Sequence, residues 1–140
     1  MSAMTGGCLC GYVRYRAEGT WSNPTLCHCA SCRRASGAHV VGWVTFAKTA
    51  FEFTAHVPTQ FRSSAPVVRS FCPRCGTPLT FSSEAFPEEI DVTICSLDAP
   101  EAVAPLDHTW MSDALPWDKA KDGLPKFATS RADGTTLMTR

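Results

Sequence analysis

The sequence predicts an all-β domain of short, bent strands built around two metal sites, with little helix. Short runs rich in Val, Phe, Thr and Ile recur along the chain, and Gly, Pro, Ser and Asp interrupt them at short intervals. Apolar residues at helical spacing are scarce. Seven of the eight cysteines fall into three tight clusters, which is typical of metal ligands rather than of scattered core residues.

The predicted strands come from β-branched and aromatic side chains at neighbouring positions. Residues 12–17 alternate such side chains with Arg14 and Arg16. The other runs cover residues 40–46, 51–54, 67–71, 78–82 and 90–97. Two segments have weak helical character, residues 29–38 and residues 112–120, and Pro116 limits the second.

Length and composition fit one folded unit. The 140 residues suit a single domain, which we expect over residues 1–127, with a loosely ordered tail over residues 128–140. Thirteen basic residues balance thirteen acidic ones, so no net charge directs the protein to nucleic acid or to an anionic membrane. The apolar runs are too short to span a bilayer and the first residues do not resemble a secretory signal, so we expect a cytoplasmic protein.

The spacing of the cysteines is typical of metal sites. Cys8 and Cys10 form a C-x-C pair, and Cys72 and Cys75 form a C-x-x-C followed by glycine. The middle cluster is a C-x-C-x-x-C made of Cys27, Cys29 and Cys32. In a reducing compartment such cysteines bind metal or act in catalysis more often than they form disulfides.

One pairing of the clusters fills a complete tetrahedral zinc site. The first and third clusters supply four thiolates, and the middle cluster then forms a separate centre with three. An open coordination position admits water or substrate, so this arrangement favours an enzyme. Two alternatives remain: a histidine closes the second centre, or the middle cluster pairs with the third and leaves the first without metal. The available histidines are His28, His39, His56 and His108.

The cysteine motifs resemble a known family. Four blocks carry the resemblance: GGCLCGYVRY at residues 6–15, CHCASCRRASGA at 27–38, FCPRCGTPL at 71–79 and HTWMSDALPWDKAKDGLPKF at 108–127. They resemble the signature blocks of the glutathione-dependent formaldehyde-activating enzyme (GFA) family, in the same order and with no departure at any ligand position.

This resemblance implies a fold, a set of ligands and an activity. The fold is the tent-like β fold of Mss4 proteins, which methionine sulfoxide reductases of the B type share. The first and third motifs would bind a structural zinc through four cysteines, and the middle motif would bind a catalytic zinc through three. The activity is that of a carbon–sulfur lyase that forms or cleaves S-(hydroxymethyl)glutathione, so glutathione is the expected co-substrate. The ligands would be Cys8, Cys10, Cys72 and Cys75 for the first zinc, and Cys27, Cys29 and Cys32 for the second.

Other side chains near the motifs are candidates for substrate contacts. Arg33 and Arg34 follow the third ligand of the middle cluster, where a guanidinium can grip a glutathione carboxylate or offset the charge of three thiolates. The alternative is a structural hydrogen bond or a solvated pair. His108 is the candidate proton carrier, and core packing is its alternative. His28, between two ligands, is expected to support the site rather than bind metal.

Two further interpretations compete with the lyase. Cys95 stands alone and is interpreted as a small buried side chain, although a sulfoxide reductase would use such a thiol as a nucleophile. A non-enzymatic binding module of the Mss4-like type would use both zincs structurally and would supply a fourth protein ligand at the middle site. A small-molecule thiol adduct is the expected partner, with no nucleic acid and no membrane, and the sequence leaves the oligomeric state undefined.

Overall fold

The protein forms two β-sheets that share a core, with one short helix. The computed structural model describes residues 3–119 and 121–131. Its α-helix, α1, spans Ala30–Ser36. The strands are β1 Met4–Gly7, β2 Arg14–Ala17, β3 Trp21–Cys27, β4 Val41–Ala47, β5 Phe51–Ala55, β6 Thr59–Ser64, β7 Val67–Phe71, β8 Pro78–Ser83, β9 Glu89–Thr93 and β10 Asp107–Thr109. Short 3-10 turns cover Lys48–Ala50, Ile94–Ser96, Pro100–Ala102 and Met111–Asp113.

The smaller sheet has the order β1-β2-β5 and the larger one the order β10-β3-β4-β9-β8-β7-β6. Neighbouring strands run antiparallel except β10, which pairs parallel to β3 with His108 opposite Leu26. Residues 125–127 cover the outer side of β10, because His108 N–H donates to the Pro125 carbonyl and Phe127 N–H donates to the His108 carbonyl. The larger sheet therefore brings β3 together with β10 and with residues 125–127, which lie far from β3 along the chain.

Strand β4 separates two apolar clusters. Val44 and Phe46 point into the main core between the sheets, where they pack with side chains from β2, β8 and β9. Val41 and Trp43 point to the other face and pack with Cys27 and with Cys32. Because side chains alternate along a strand, the sequence VGWVTFA buries both faces of β4. The larger sheet therefore has a buried cluster on each side.

Most of the predicted strands are confirmed, and four strands were not predicted. The runs expected at 12–17, 40–46, 51–54, 67–71 and 78–82 coincide with β2, β4, β5, β7 and β8 within two residues at each end. The run expected at 90–97 is shorter, because β9 ends at Thr93 and a 3-10 turn follows. The strands β1, β3, β6 and β10 were missed. The predicted helix at 29–38 is confirmed as the shorter α1.

The expected helical turn at 112–120 is wrong over most of its length. A 3-10 turn at Met111–Asp113 overlaps only its first residues, and Pro116 follows in irregular chain. Residue 120 lies outside the described residues, and so do 132–140 of the expected tail. Residues 128–131 contact the sheet: Trp110 N–H donates to the Thr129 carbonyl, and Arg131 donates to the Asp107 carboxylate. No helix in the described ranges combines the length and apolar character that crossing a bilayer requires.

A buried carboxyl on β9 leads to a stability prediction. Burial raises the pKa of Asp91 to about 6, although Thr45 Oγ1 donates a hydrogen bond of 2.7 Å to it. The folded state therefore holds this proton more tightly than the unfolded chain, and stability from this group falls as the pH rises from about 4 through 6. The displacement of the pKa from 3.8 to about 6 corresponds to about 3 kcal/mol at neutral pH.

We expect Asp91→Asn to raise the free energy of unfolding at pH 7 by about 1–3 kcal/mol, because a neutral amide replaces a buried charge. Urea denaturation of parent and variant from pH 5 to pH 8 measures this gain, which should shrink toward the acid end. Glu52→Gln, an exposed change on β5 of the other sheet, serves as the control. A gain that is the same at every pH would contradict the assignment to Asp91.

Candidate metal centres

Four cysteines from the first and third motifs meet at the edge of the main core. The sulfurs of Cys8, Cys10, Cys72 and Cys75 all lie within 4.8 Å of one another. Cys10 Sγ lies 3.6 Å from Cys8 Sγ and 3.8 Å from Cys72 Sγ. Four sulfurs at this spacing can hold one tetrahedral metal ion.

The two loops that carry these cysteines aim backbone amides at the sulfurs. Val13 N–H donates to Cys8 Sγ at 3.2 Å, and the N–H groups of Arg74 and Cys75 donate to Cys72 Sγ at 3.3 and 3.4 Å. The turn after Cys75 needs Gly76, whose φ of 79° lies in the left-handed region. These amides stabilise negative charge on sulfur, as a metal-bound thiolate requires.

The hydrogen bonds lower two thiol pKa values in this cluster. Hydrogen bonds from Thr77 lower the pKa of Cys75 to about 5. Burial acts to raise the pKa of Cys8, but the Val13 amide and the neighbouring thiols outweigh it, and that pKa falls below its usual value. A backbone hydrogen bond from Tyr12 acts to lower the pKa of Cys10, but burial and the neighbouring thiols raise it to about 11. Within this cluster Cys8 and Cys75 therefore lose their protons most readily to a metal ion.

Arg74 of the third motif and His56 both pack against Tyr12, in the loop of the first motif. The Arg74 guanidinium lies 3.9 Å from the centre of the Tyr12 ring, and His56 stacks on the other side of that ring at 3.9 Å. His56 Nδ1 donates to the Tyr12 carbonyl at 2.8 Å. His56 therefore contacts the loop and is not a member of either cysteine cluster.

The middle motif forms the second cluster on the opposite face of β4. Cys27 ends β3, Cys29 caps α1 and Cys32 lies within α1. Their sulfurs lie within 4.8 Å of one another, and no His, Asp, Glu or further Cys of the described ranges joins them. Cys29 Sγ accepts from Cys32 N–H at 3.3 Å, so the helix cap also orients two of the cysteines. Three sulfurs in this arrangement can hold a metal ion and leave one coordination position for another ligand.

Arg69 on β7 contacts this cluster and was not predicted. Its two terminal nitrogens lie 3.6 and 3.7 Å from Cys32 Sγ. The thiols of Cys27 and Cys29, followed by the charge of Arg69, lower the pKa of Cys32 to about 2. Arg69 thus offsets part of the negative charge of a three-thiolate site, a role that the sequence analysis considered for Arg33 and Arg34. The available signal was a charged residue inside an otherwise apolar strand, two positions before Phe71.

The predicted substrate contacts Arg33 and Arg34 lie on α1, whereas Arg69 lies on β7. The Arg33 guanidinium donates to the Asp113 carbonyl, and Arg34 is exposed. Asp113 also accepts from Ala30 N–H at 3.2 Å, so this loop is attached to the start of α1.

His108 and His28 form a buried chain beside the middle motif. His28 Nε2 lies 2.9 Å from His108 Nδ1, and His108 Nε2 lies 2.8 Å from the Asp122 carboxylate. At the other end, His28 Nδ1 lies 3.3 Å from Asp118 Oδ2. With two neutral imidazoles, one N–H lies between His28 Nε2 and His108 Nδ1 and the other between His108 Nε2 and Asp122. Burial lowers the pKa of His28. Neither imidazole is part of the sulfur cluster.

A cavity of about 370 Å³ begins at Cys32. Val41, Trp43, Phe61, Phe71 and Pro78 supply apolar walls, and Arg69 supplies a positive charge. Cys32 of the three-cysteine cluster lines the cavity, whereas none of the four cysteines of the other cluster does, although Gly76 next to Cys75 is part of the wall. A molecule bound there can therefore contact a sulfur of the three-cysteine cluster.

Cys95 is exposed, in the 3-10 turn after β9. The interpretation of Cys95 as a small buried side chain is therefore wrong, because β9 ends before this residue. Cys95 lies outside both metal-binding clusters.

Comparison with protein families matches residues 3–113 to the family described as "Glutathione-dependent formaldehyde-activating enzyme" (GFA). The chain belongs to the GFA family. The matched segment contains all seven clustered cysteines, so both clusters of this GFA protein lie within the family's own boundaries.

A solved structure has the same fold. The GFA chain superposes on a crystal structure of a Rhodobacter sphaeroides protein, a structural genomics target, with a TM-score of 0.61 and 24% sequence identity. The superposition covers 76% of this chain and 100% of the other. No curated protein matches the chain. The all-β, Mss4-like fold expected from the sequence is confirmed, with its cysteine clusters able to bind metal.

Proposed function

We propose that this GFA protein is a zinc-dependent carbon–sulfur lyase. Its substrate would be the adduct of glutathione, or of a similar thiol, with formaldehyde or another small carbonyl compound. The observation that carries the proposal is the convergence of three thiols, without a fourth ligand from the described residues, beside a cavity that one of them, Cys32, lines. The family description supports the choice of glutathione and formaldehyde.

The donor atoms of both clusters suit zinc. Zinc accepts thiolate ligands in tetrahedral sites, and all seven donors here are sulfur. We assign a closed structural zinc to Cys8, Cys10, Cys72 and Cys75, and a catalytic zinc to Cys27, Cys29 and Cys32. Zinc bound by three thiolates keeps a further sulfur ligand deprotonated and still nucleophilic at neutral pH.

The reaction itself needs a sulfur, a carbonyl carbon and one proton. In the forward direction the thiolate sulfur attacks the carbonyl carbon, the carbon–sulfur bond forms, and the carbonyl oxygen takes a proton. In reverse, the hydroxyl group loses that proton as the carbon–sulfur bond breaks. His108 is our candidate to hold the proton, because its buried imidazole lies between His28 Nε2 and the Asp122 carboxylate.

The remaining groups of the chain bind and orient the substrate. The apolar walls of the cavity exclude water from the reacting atoms. Arg34 is exposed on α1 and available to a carboxylate of glutathione. Arg33, which also donates to Asp113, is our second candidate for such a contact.

The competing proposal, a non-enzymatic binding module, predicts a fourth protein ligand at the middle site. The described residues supply three, which favours the enzyme. We also propose that residues 1–127 form a single domain and that the protein works in the cytoplasm. The grouping of seven cysteines as metal ligands rather than disulfides supports a reducing compartment.

Exchange spectroscopy by NMR tests the activity. Zinc-loaded protein, glutathione and ¹³C-labelled formaldehyde are mixed, and the exchange rate between free aldehyde and adduct is compared with that of the buffer alone. We expect the protein to raise this rate at least tenfold, and we expect Cys29→Ser to abolish the increase. Cys95→Ser, at an exposed position outside both clusters, should leave it unchanged. An exchange rate of the parent protein equal to that of buffer, both for formaldehyde and for ¹³C-labelled acetaldehyde and benzaldehyde measured in the same way, would reject the lyase.

A further inference from the structure

The cavity beside Cys32 combines mostly apolar walls with one positively charged side chain. Its apolar walls come from four strands and from α1, and they include Trp43, Phe61 and Phe71. Arg69 is the charged side chain among the described residues that line it, and no acidic side chain of that set does so. The cavity therefore suits a ligand with an apolar body and one negative charge.

The cavity is much larger than the hydroxymethyl group that formaldehyde adds to a thiol. That group has two non-hydrogen atoms, and a water molecule, which has one, occupies about 30 Å³ in the liquid. The cavity offers about 370 Å³. The remaining volume is available to the body of the thiol or to a larger carbonyl substituent.

Glutathione matches the walls poorly. It carries two carboxylates, an ammonium group and two peptide units, and burial of each without a partner costs about 1–3 kcal/mol. Val41, Phe61 and Phe71 offer such groups no side-chain hydrogen bonds. The hydroxyl groups that line the cavity already bond within the protein, because Ser36 Oγ donates to the Cys32 carbonyl and Ser70 Oγ bonds to Thr80 Oγ1. An apolar thiol gains free energy in the same place, because its burial removes apolar surface from water.

Arg69 is fixed in position and retains donors for a ligand. Its guanidinium lies 5.1 Å from the centre of the Phe81 ring, and Nε–H donates to Ser63 Oγ at 3.1 Å. One N–H on each terminal nitrogen points at Cys32 Sγ. Among the described residues these contacts use three of its five N–H groups, so two remain for an anionic oxygen.

The position of Arg69 limits where the anion lies in the ligand. Because the guanidinium contacts Cys32 directly, an oxygen bound to it lies close to the sulfur cluster. A carboxylate on the carbon next to the ligand's own sulfur meets this condition. A carboxylate at the far end of a tripeptide does not.

We propose that the cavity selects thiols, and their carbonyl adducts, that carry an apolar body and one carboxylate beside the sulfur. Arg69 is the specificity-determining residue that binds this carboxylate. The inference rests on the proposed function, because it assigns the substrate class of the same site. It goes beyond that function because it predicts that apolar sulfanyl carboxylates bind more tightly than glutathione.

Calorimetric titration of the zinc-loaded protein tests this assignment through binding alone. The ligands are thiomandelate, its uncharged amide and glutathione. We expect thiomandelate to bind at least tenfold more tightly than the amide and than glutathione, since a charge-assisted hydrogen bond discriminates by about this factor. Arg69→Gln should remove the preference for the acid and change the amide's affinity less than twofold. Arg62→Gln, on the exposed strand β6, is the matched control and should change none of the three affinities.

A second variant keeps the test valid if Arg69→Gln loses zinc or does not fold. Ala35 is an exposed helix residue that lines the cavity, so Ala35→Leu fills the space without disturbing the core. It should weaken the acid and the amide alike, by fivefold or more. Equal affinities of the parent for acid and amide, tighter binding of glutathione, or an unaffected Ala35→Leu variant would each overturn the proposal.

The two proposals fail separately. If the affinities follow the expected pattern and no adduct is turned over, the cavity assignment stands and the lyase is rejected. If adducts of glutathione are turned over and the three ligands bind equally well, the lyase stands and the cavity assignment is rejected.

Discussion

Cys72→Ala is expected to abolish the cooperative unfolding transition of the protein. Cys72 is 1% exposed within the main core, and its sulfur accepts two backbone amides and lies 3.8 Å from Cys10 Sγ. Loss of one ligand from a closed zinc site removes most of the metal's contribution to folding, which is on the order of 10 kcal/mol in small zinc domains. This is comparable with the whole stability of a typical domain.

Circular dichroism during heating, together with the zinc content, measures this effect. The control is Cys95→Ala, which removes an exposed thiol outside the clusters and should change stability by less than about 0.5 kcal/mol. A Cys72→Ala protein that melts at the parent's temperature would show that this cluster does not stabilise the fold.

Replacement of Cys27, Cys29 and Cys32 together by Ala is expected to leave the fold intact and to remove the activity. These residues pack with Val41 and Trp43 on the far side of β4, separate from the main core. We therefore expect a folded protein with one zinc where the parent has two, and an exchange rate that falls at least about tenfold, to that of the buffer. A tenfold fall corresponds to about 1.4 kcal/mol of transition-state stabilisation.

Elemental analysis and a thermal scan measure the zinc content and the folding of the same preparations, and the NMR exchange assay measures their activity. The parent and the Cys95→Ala variant provide the reference values for zinc content and melting. If the triple variant unfolds, or if the parent binds a single zinc, the middle cluster is part of the structural framework and the argument for an open site fails.

The sequence predicts the contents of the cysteine clusters well because the members of each motif are close along the chain. Two or three cysteines within six residues can bind the same ion, whatever the rest of the fold does. The pairing of the first motif with the third was one of two options, and the structure shows Cys10 beside Cys72 across 62 positions. Spacing alone did not distinguish these options.

The strands that the sequence missed depend on distant partners. Strand β6 has an exposed side chain at every position, so no apolar alternation marks it. Strand β3 contains Pro24, which lacks an N–H, and its register with β4 shifts between Ser22 and Thr25. Strand β10 has three residues and forms because β3 and residues 125–127 flank it.

Arg69 was missed for the same reason. It belongs to no motif, and its contact with Cys32 joins β7 to α1 across 37 positions. The predicted candidates Arg33 and Arg34 are neighbours of Cys32 along the chain. Proximity in sequence therefore identified the sulfur ligands and failed to identify the side chain that crosses from another strand.

The parallel pairing of β10 with β3 has a consequence for biosynthesis. Thr25 contacts Asp107 across 82 positions, a separation that a ribosome takes roughly 4 to 16 seconds to translate.

Five of the seven clustered cysteines leave the ribosome before Cys72 does, and no native four-sulfur set exists until then. Zinc that binds before Cys72 and Cys75 emerge has only the cysteines of the first and second motifs as ligands and can join these two motifs, whereas zinc added to the finished chain meets both native sets. The yield of correctly metallated protein should accordingly depend on when zinc is supplied, and not only on how much.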